Sequence, residues 1–150
     1  MKTLITAIVA SLVFGVAANA ELVNSQNDIP SQINTFTNKP AEYLTADRTK
    51  LVMRVHIGWR ISNSKAFFVK FPSDSTLAAQ RQLESMLRSA ESGVIGRHIL
   101  SDFINSNPSK LKLDEIKKEI QNALDTIAAA NNIGISIESV GVVDVSELLK

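Results

Sequence analysis

The stretch that most constrains this chain is Lys50 to Ser62, which alternates apolar and polar residues more cleanly than any other segment. Leu51, Met53, Val55, Ile57, Trp59 and Ile61 fall on one side of an extended strand; Arg54, His56 and Arg60 fall on the other with Val52 and Gly58. Pairing shifted by one residue would turn the apolar set to water and bring both arginines inside, so the register of this strand is strictly specified. The remaining residues must supply a cover for one face and leave the other wet.

Residues 1–20 have the form of an export segment. Lys2 gives a short positive start, Leu4 to Ala18 is an almost charge-free apolar run, and Ala18-Asn19-Ala20 has the small-x-small form of a signal-peptidase site. The run is close to the shortest length that spans a bilayer, so a signal peptide and a signal anchor are both open readings. Residues 21–40 form a polar linker rich in Asn, Ser, Gln and Thr, broken by Pro30 and Pro40. Ile33 and Phe36 mark a short edge strand, Ala41 to Thr45 marks another, and Ala46-Asp47-Arg48-Thr49 turns the chain into the long strand as a hairpin or meander.

Beyond the aromatic cluster Phe67, Phe68 and Phe71, the spacing becomes helical. Pro72-Ser73-Asp74-Ser75-Thr76 offers N-cap residues, and Leu77, Leu83, Met86, Leu87, Ala90 and Val94 give an apolar stripe. Gly93 and Gly96 loosen that helix near its end, and a shorter turn carries Ile99, Leu100, Phe103 and Ile104 until Pro108. Leu113, Ile116, Ile120, Leu124 and Ile127 predict a second long helix, ended by Asn131, Asn132 and Gly134. Ile135 to Val143 is a final strand whose alternation fails around Ser139-Gly141, which predicts a bulge. Strands, two helices and a strand in that order specify an α+β domain, a small mainly antiparallel sheet covered by two amphipathic helices. The domain spans residues 41–145, and 146–150 read as the start of a C-terminal helix.

Composition narrows the function classes. Formal net charge is +1, so no global basic field points to nucleic acid, and the chain has no cysteine, which removes thiolate nucleophiles and Cys-based zinc sites. His98 and Asp102, four apart, share a helix face but lack a third ligand in sequence for a metal site. No nucleophile elbow accompanies either His56 or His98, and Gly93 and Gly96 do not make a phosphate loop. These residues support no catalytic, cofactor or metal site, and the expected class is a non-enzyme. Trp59 lies on the apolar stripe and reads as core sooner than as a binding anchor. The candidate partner or assembly surface is the stripe Arg54, His56 and Arg60 together with Leu148 and Leu149 near the end of the chain.

Leu44-Thr45-Ala46-Asp47, followed by the strand that ends in Trp59-Arg60-Ile61, resembles the band-7 or SPFH family of stomatins and prohibitins, and within it the bacterial HflC-type protease modulators. Leu87-Arg88-Ser89, Ile95-Gly96-Arg97, Ile133-Gly134-Ile135 and Val140-Gly141-Val142 are similar to further elements of that family, and together these motifs cover roughly residues 33 to 145. The resemblance implies a membrane-anchored scaffold that oligomerises and restrains a membrane-bound ATP-dependent AAA protease. It implies an SPFH paralogue as partner, contact with membrane lipid through residues 1–20, homo- or hetero-oligomers, no nucleic acid and no cofactor. It also implies placement at a bacterial inner membrane with the domain on the periplasmic side. The alternative expectation is a soluble, secreted α+β binding domain, cleaved at Ala20, with an unknown periplasmic partner.

Overall fold

The computed structural model describes residues 32–72 and 75–149. The export segment 1–20, most of the linker and the N-cap candidates Ser73 and Asp74 lie outside the described residues. The long alternating stretch is β3 (Lys50–Ile61), the central strand of an antiparallel sheet. Its odd-numbered residues from Leu51 to Trp59 are buried, with Leu51, Met53, Val55 and Ile57 wholly so. Each such side chain withdrawn from water contributes about 1.5–3 kcal/mol, which makes this face the largest single demand on the fold.

β4 (Ile135–Glu147) pairs with β3 from Ile61 to Leu51 along one edge. β1 (Asn34–Thr37) and β2 (Ala41–Leu44) pair with residues 56–59 and 50–53 of β3, which β4 also pairs. A strand has two edges, so β1 and β2 lie end to end along the second one, as two halves of an interrupted edge arm. β2 and β3 form the expected hairpin; β1 joins no meander, because it pairs with β3 and not with β2.

The interruption is closed by one side chain. Between the two halves, Asn38 donates its backbone N–H to the Val55 carbonyl (3.1 Å) and accepts the Val55 N–H on Oδ1 (2.7 Å). Its amide thus stands in for the ladder carbonyl that a continuous strand would have supplied, and the two strand halves differ by one residue in register. That slip keeps Phe36 and Tyr43 both on the buried face.

The bulges in β4 flank the place the sequence indicated. Asp144 pairs with Arg54 while Val142 pairs with Val55, leaving Val143 extra; Ser139 pairs with Gly58 while Ile137 pairs with Trp59, leaving Glu138 extra. Each extra residue reverses the inward parity, which runs Ile135, Ile137, then Val140, Val142, then Val145. Two reversals keep Ile135, Ile137, Val140, Val142 and Val145 inward, leave Val143 exposed at the second bulge, and explain why no single period fits the sequence. The strand also continues through Ser146 and Glu147, and the Leu148 N–H donates to the Lys50 carbonyl (2.9 Å), so the helix expected from Ser146 is replaced by the end of β4.

Four helices complete the domain. α1 (Ser64–Lys70) is capped by Asn63, whose Oδ1 accepts the Ala66 N–H; it places Phe67 against Trp59, and Phe71 at its C-terminal cap packs on Phe67. The spacing of the aromatic cluster alone specifies no helix; Asn63 is the sequence signal for one. α2 (Ser75–Ile95) and α4 (Leu113–Asn131) lie across the inner sheet face, separated by α3 (Leu100–Phe103) and a 3-10 turn at Pro108–Lys110. The buried line of α4 is Ile116, Ile120, Leu124 and Ala128, with Leu113 and Ile127 at its margins. In α2, Leu83, Leu87 and Val94 are buried, whereas Leu77, expected on the stripe, is exposed. Trp59 is core.

α4 ends on Asn132 in the left-handed region, and Gly134 follows with φ +71°. The Gly134 carbonyl accepts the N–H groups of Ser62 and Asn63, so its backbone is pressed against the start of α1. A Cβ there would lie 2.3 Å from the Asn63 carbonyl oxygen and 2.7 Å from the Phe67 nitrogen. Gly134→Ala is expected to lower stability by about 3 kcal/mol or more, since backbone conformation and space are both violated. Gly93→Ala, on the exposed side of α2 with nothing within 4 Å, is expected to raise it by about 0.5–1 kcal/mol. Urea denaturation of the two variants beside the parent checks both signs.

Candidate functional site

The exposed sheet face carries the predicted basic stripe, and β4 matches it with acids. Arg54 holds Asp144 through Nε (2.9 Å) and Nη2 (2.5 Å), and Arg60 Nε meets Glu138 at 2.6 Å. His56 Nδ1 faces the Thr37 hydroxyl at 2.9 Å. Arg60 and Ser136 hydrogen bonds hold the Glu138 carboxyl below the usual range. The stripe is therefore a row of cross-strand pairs with no net positive character, a surface suited to polar docking more than to polyanions. Leu148 and Leu149 are exposed just past the end of β4, where the Leu148 N–H meets the Lys50 carbonyl at the start of β3.

A second polar group ties the helices together. His98, 7% exposed, presents Nδ1 to Asp102 at 3.2 Å and Nε2 to Glu119 at 3.0 Å, and its ring stands edge-on to Phe103. Arg97 reaches the other Glu119 oxygen at 3.0 Å, and Lys112 approaches Asp102 at 3.5 Å. Burial pushes the Glu119 carboxyl up, but the hydrogen bonds and charges of Arg97 and His98 outweigh it and leave it below its ordinary range. The sequence pairing of His98 with Asp102 is met, and α4 adds Glu119. The carboxylates lie on opposite ring nitrogens, though, and do not converge on a point where an ion would sit. Among the described residues no group of three such side chains is arranged to hold a metal. This cluster fastens the α2–α3 junction to α4.

The Leu44-Thr45-Ala46-Asp47 turn docks on the same junction. Thr45 Oγ1 donates to Asp47 and accepts the Thr49 N–H, Asp47 accepts the Leu100 N–H at the start of α3, and the Ala46 N–H donates to the His98 carbonyl. The Thr45 hydroxyl, together with the backbone N–H groups of Leu100 and of Asp47 itself, keeps the Asp47 carboxyl low. These residues are needed at this spacing because one tight turn must satisfy both its own hairpin and a helix start.

The third group was not anticipated. Glu91 of α2 is fully buried and takes Asn38 Nδ2 on both carboxylate oxygens (3.3 and 3.1 Å) and the Tyr43 hydroxyl on Oε2. Burial pushes Glu91 up to about 7, opposed by the Tyr43 and Asn38 hydrogen bonds and by the charge of Arg88. Burial and then the neighbouring Glu91 push the Tyr43 phenol well above its ordinary value. A signal existed: Glu91 is four residues after Leu87 and three before Val94, on the apolar stripe itself.

An open groove of about 470 Å³ between α1 and the end of α4 is lined by exposed residues, Asn63, Lys65, Lys70 and Asn132 among them, and offers no enclosed polar group to orient a ligand. The energetic weight lies in the buried groups. Asn38→Leu, which strips the Val55 N–H of its partner and leaves Glu91 with the Tyr43 hydroxyl alone, is expected to cost about 2–4 kcal/mol, whereas the Arg54–Asp144 pair, exposed to water, should show a double-mutant coupling of about 0.2–1 kcal/mol that fades with salt. Chemical denaturation at low and high ionic strength distinguishes the two.

Comparison with known proteins bears on the whole arrangement. No curated protein matches the chain. The model of the family described as SPFH domain / Band 7 family matches residues 14–147. The match takes in the central strand, the Thr45–Asp47 turn, both long helices and β4, and it begins within the segment read as an export signal. An antiparallel sheet with helices on one face is consistent with that assignment, and the chain belongs to the SPFH domain / Band 7 family.

Proposed function

We propose that this protein is a membrane-tethered, non-enzymatic scaffold of the HflC type, which assembles with copies of itself or with an SPFH paralogue and restricts access to a membrane-bound ATP-dependent protease. The observation that carries this reading is the family match over residues 14–147, since the family is one of membrane-associated scaffolds whose members commonly form oligomers. In this reading residues 1–20 are the anchor, the domain stands on the periplasmic side, and the action is steric. No helix among the described residues is long and apolar enough to cross a membrane, so the tether falls to the segment before them. The paired surface of Arg54, His56 and Arg60, with Leu148 and Leu149, is the candidate contact between subunits. Its cross-strand ion pairs give it polarity without excess charge, as an exchangeable protein contact needs.

Ala18-Asn19-Ala20 favours a second reading, a cleaved and secreted binding domain. Intact mass measured separately on membrane and soluble fractions separates the two. An uncut chain in membranes, cross-linking to species larger than a monomer and co-isolating with an ATP-dependent protease, is the expected result. Arg60→Glu combined with Leu149→Asp should then reduce the cross-linked fraction several-fold. A soluble monomer beginning at Glu21 would overturn the scaffold in favour of the secreted domain.

A further inference from the structure

Glu91 is fully buried, and the side chains that hydrogen-bond its carboxylate, Asn38 and Tyr43, come from the interrupted arm β1–β2. Asn38 lies at the break in that arm and makes the two bonds to Val55 that join its halves across the gap. On either side of the break the arm pairs with β3 over four residues only. One carboxyl group on α2 therefore holds the middle of a weakly paired edge. Its charged form accepts from the Asn38 amide and the Tyr43 hydroxyl; its neutral form must give its own proton to an acceptor, and the Tyr43 oxygen is in place for it.

The electrical surroundings are sparse. Arg88, one turn earlier on α2, is the charged group that bears on Glu91; β2 contributes the titratable Tyr43; the β1–β2 break contributes the uncharged Asn38; and β3 contributes the apolar Val55 behind it. A bare carboxylate here loses more hydration than these neighbours replace.

We propose that the Asn38–Tyr43–Glu91 cluster is a proton-operated latch: the β1–β2 arm lies closed against α2 when Glu91 is neutral and opens more readily when Glu91 is charged. The direction follows from the elevated affinity of the closed state for the proton. Glu91 stands at about 7 in the folded chain against an ordinary 4.5, so its contribution to closure is whole below the ordinary value and is lost as pH rises through about 7. β1 is the first strand among the described residues, so the proton sets how firmly that strand is held.

Amide hydrogen exchange on the full-length chain in detergent micelles tests this, with Val55 as reporter because its N–H is held by Asn38 alone on that edge. After correction for intrinsic exchange, the protection of Val55 should fall by about tenfold or more between pH 5.5 and 8, while amides in the middle of α4 hold steady. In Glu91→Gln, which keeps the size and cannot ionise, with an amide oxygen left to accept from Asn38 and an amide N–H that the Tyr43 oxygen can accept, Val55 protection should be flat with pH. A flat profile in the parent, or the same slope in Glu91→Gln, overturns the latch. A carbon-13 titration of the Glu91 carboxyl in the unaltered chain provides a check that needs no variant: a midpoint near 7 supports the latch, and one in the ordinary carboxylate range overturns it.

Discussion

Everything in this domain is arranged around the requirement that β3 be paired on both edges and covered on one face. A strand whose alternate residues are Leu51, Met53, Val55, Ile57 and Trp59 is stable only if a second layer removes that row from water. β4 meets the pairing requirement in one long sweep, and α2 and α4 supply the cover with the lines Leu83–Leu87–Val94 and Ile116–Ile120–Leu124. The second edge is met in two short pieces. At that join the structure relies on polar chemistry, where elsewhere it relies on apolar contact.

This division accounts for where the buried polar groups occur. They stand at seams: Asn38 and Glu91 where the edge arm is interrupted, His98 and Asp102, joined by the half-buried Glu119, where two helices meet at a short third one, and Thr45, bonded to the exposed Asp47, where a hairpin abuts a helix start. Among the described residues every buried side-chain nitrogen and oxygen has a hydrogen-bond partner. Such groups contribute modestly when satisfied and cost heavily when orphaned, so they define geometry more than they add stability.

Legibility in the sequence followed the same line. β3, both long helices and the last strand could be read because each is carried by a run of apolar residues at one period, and the family motifs fall on residues with identifiable mechanical tasks, such as Gly134 at a backbone crossing and Thr45 in a doubly used turn. The paired nature of Arg54 and Arg60 could not be read, because Asp144 and Glu138 are far away in sequence and reach them only through a register set by two bulges. The strand character of Ser146 and Glu147 was hidden for the same reason: their pairing with Val52 and Leu51 is a tertiary fact, while their composition is equally at home in a helix. In sequence, Glu91 is one acid among several polar residues on an amphipathic helix. Its distinction lies in a partner contributed from more than fifty positions earlier in the chain.

The two bulges in β4 have a bearing on solubility. β4 is long, rich in valine, and carries no strand on its far edge among the described residues, which makes it a template on which a foreign strand could grow. An incoming straight strand needs an unbroken sequence of donors and acceptors, and the extra residues Glu138 and Val143 break that sequence in two places. The segments left between them are too short to hold a stranger firmly, and Glu138 and Asp144 place charge beside the breaks. The same irregularity that brings Val140, Val142 and Val145 inward thus protects the molecule from polymerising through its own rim.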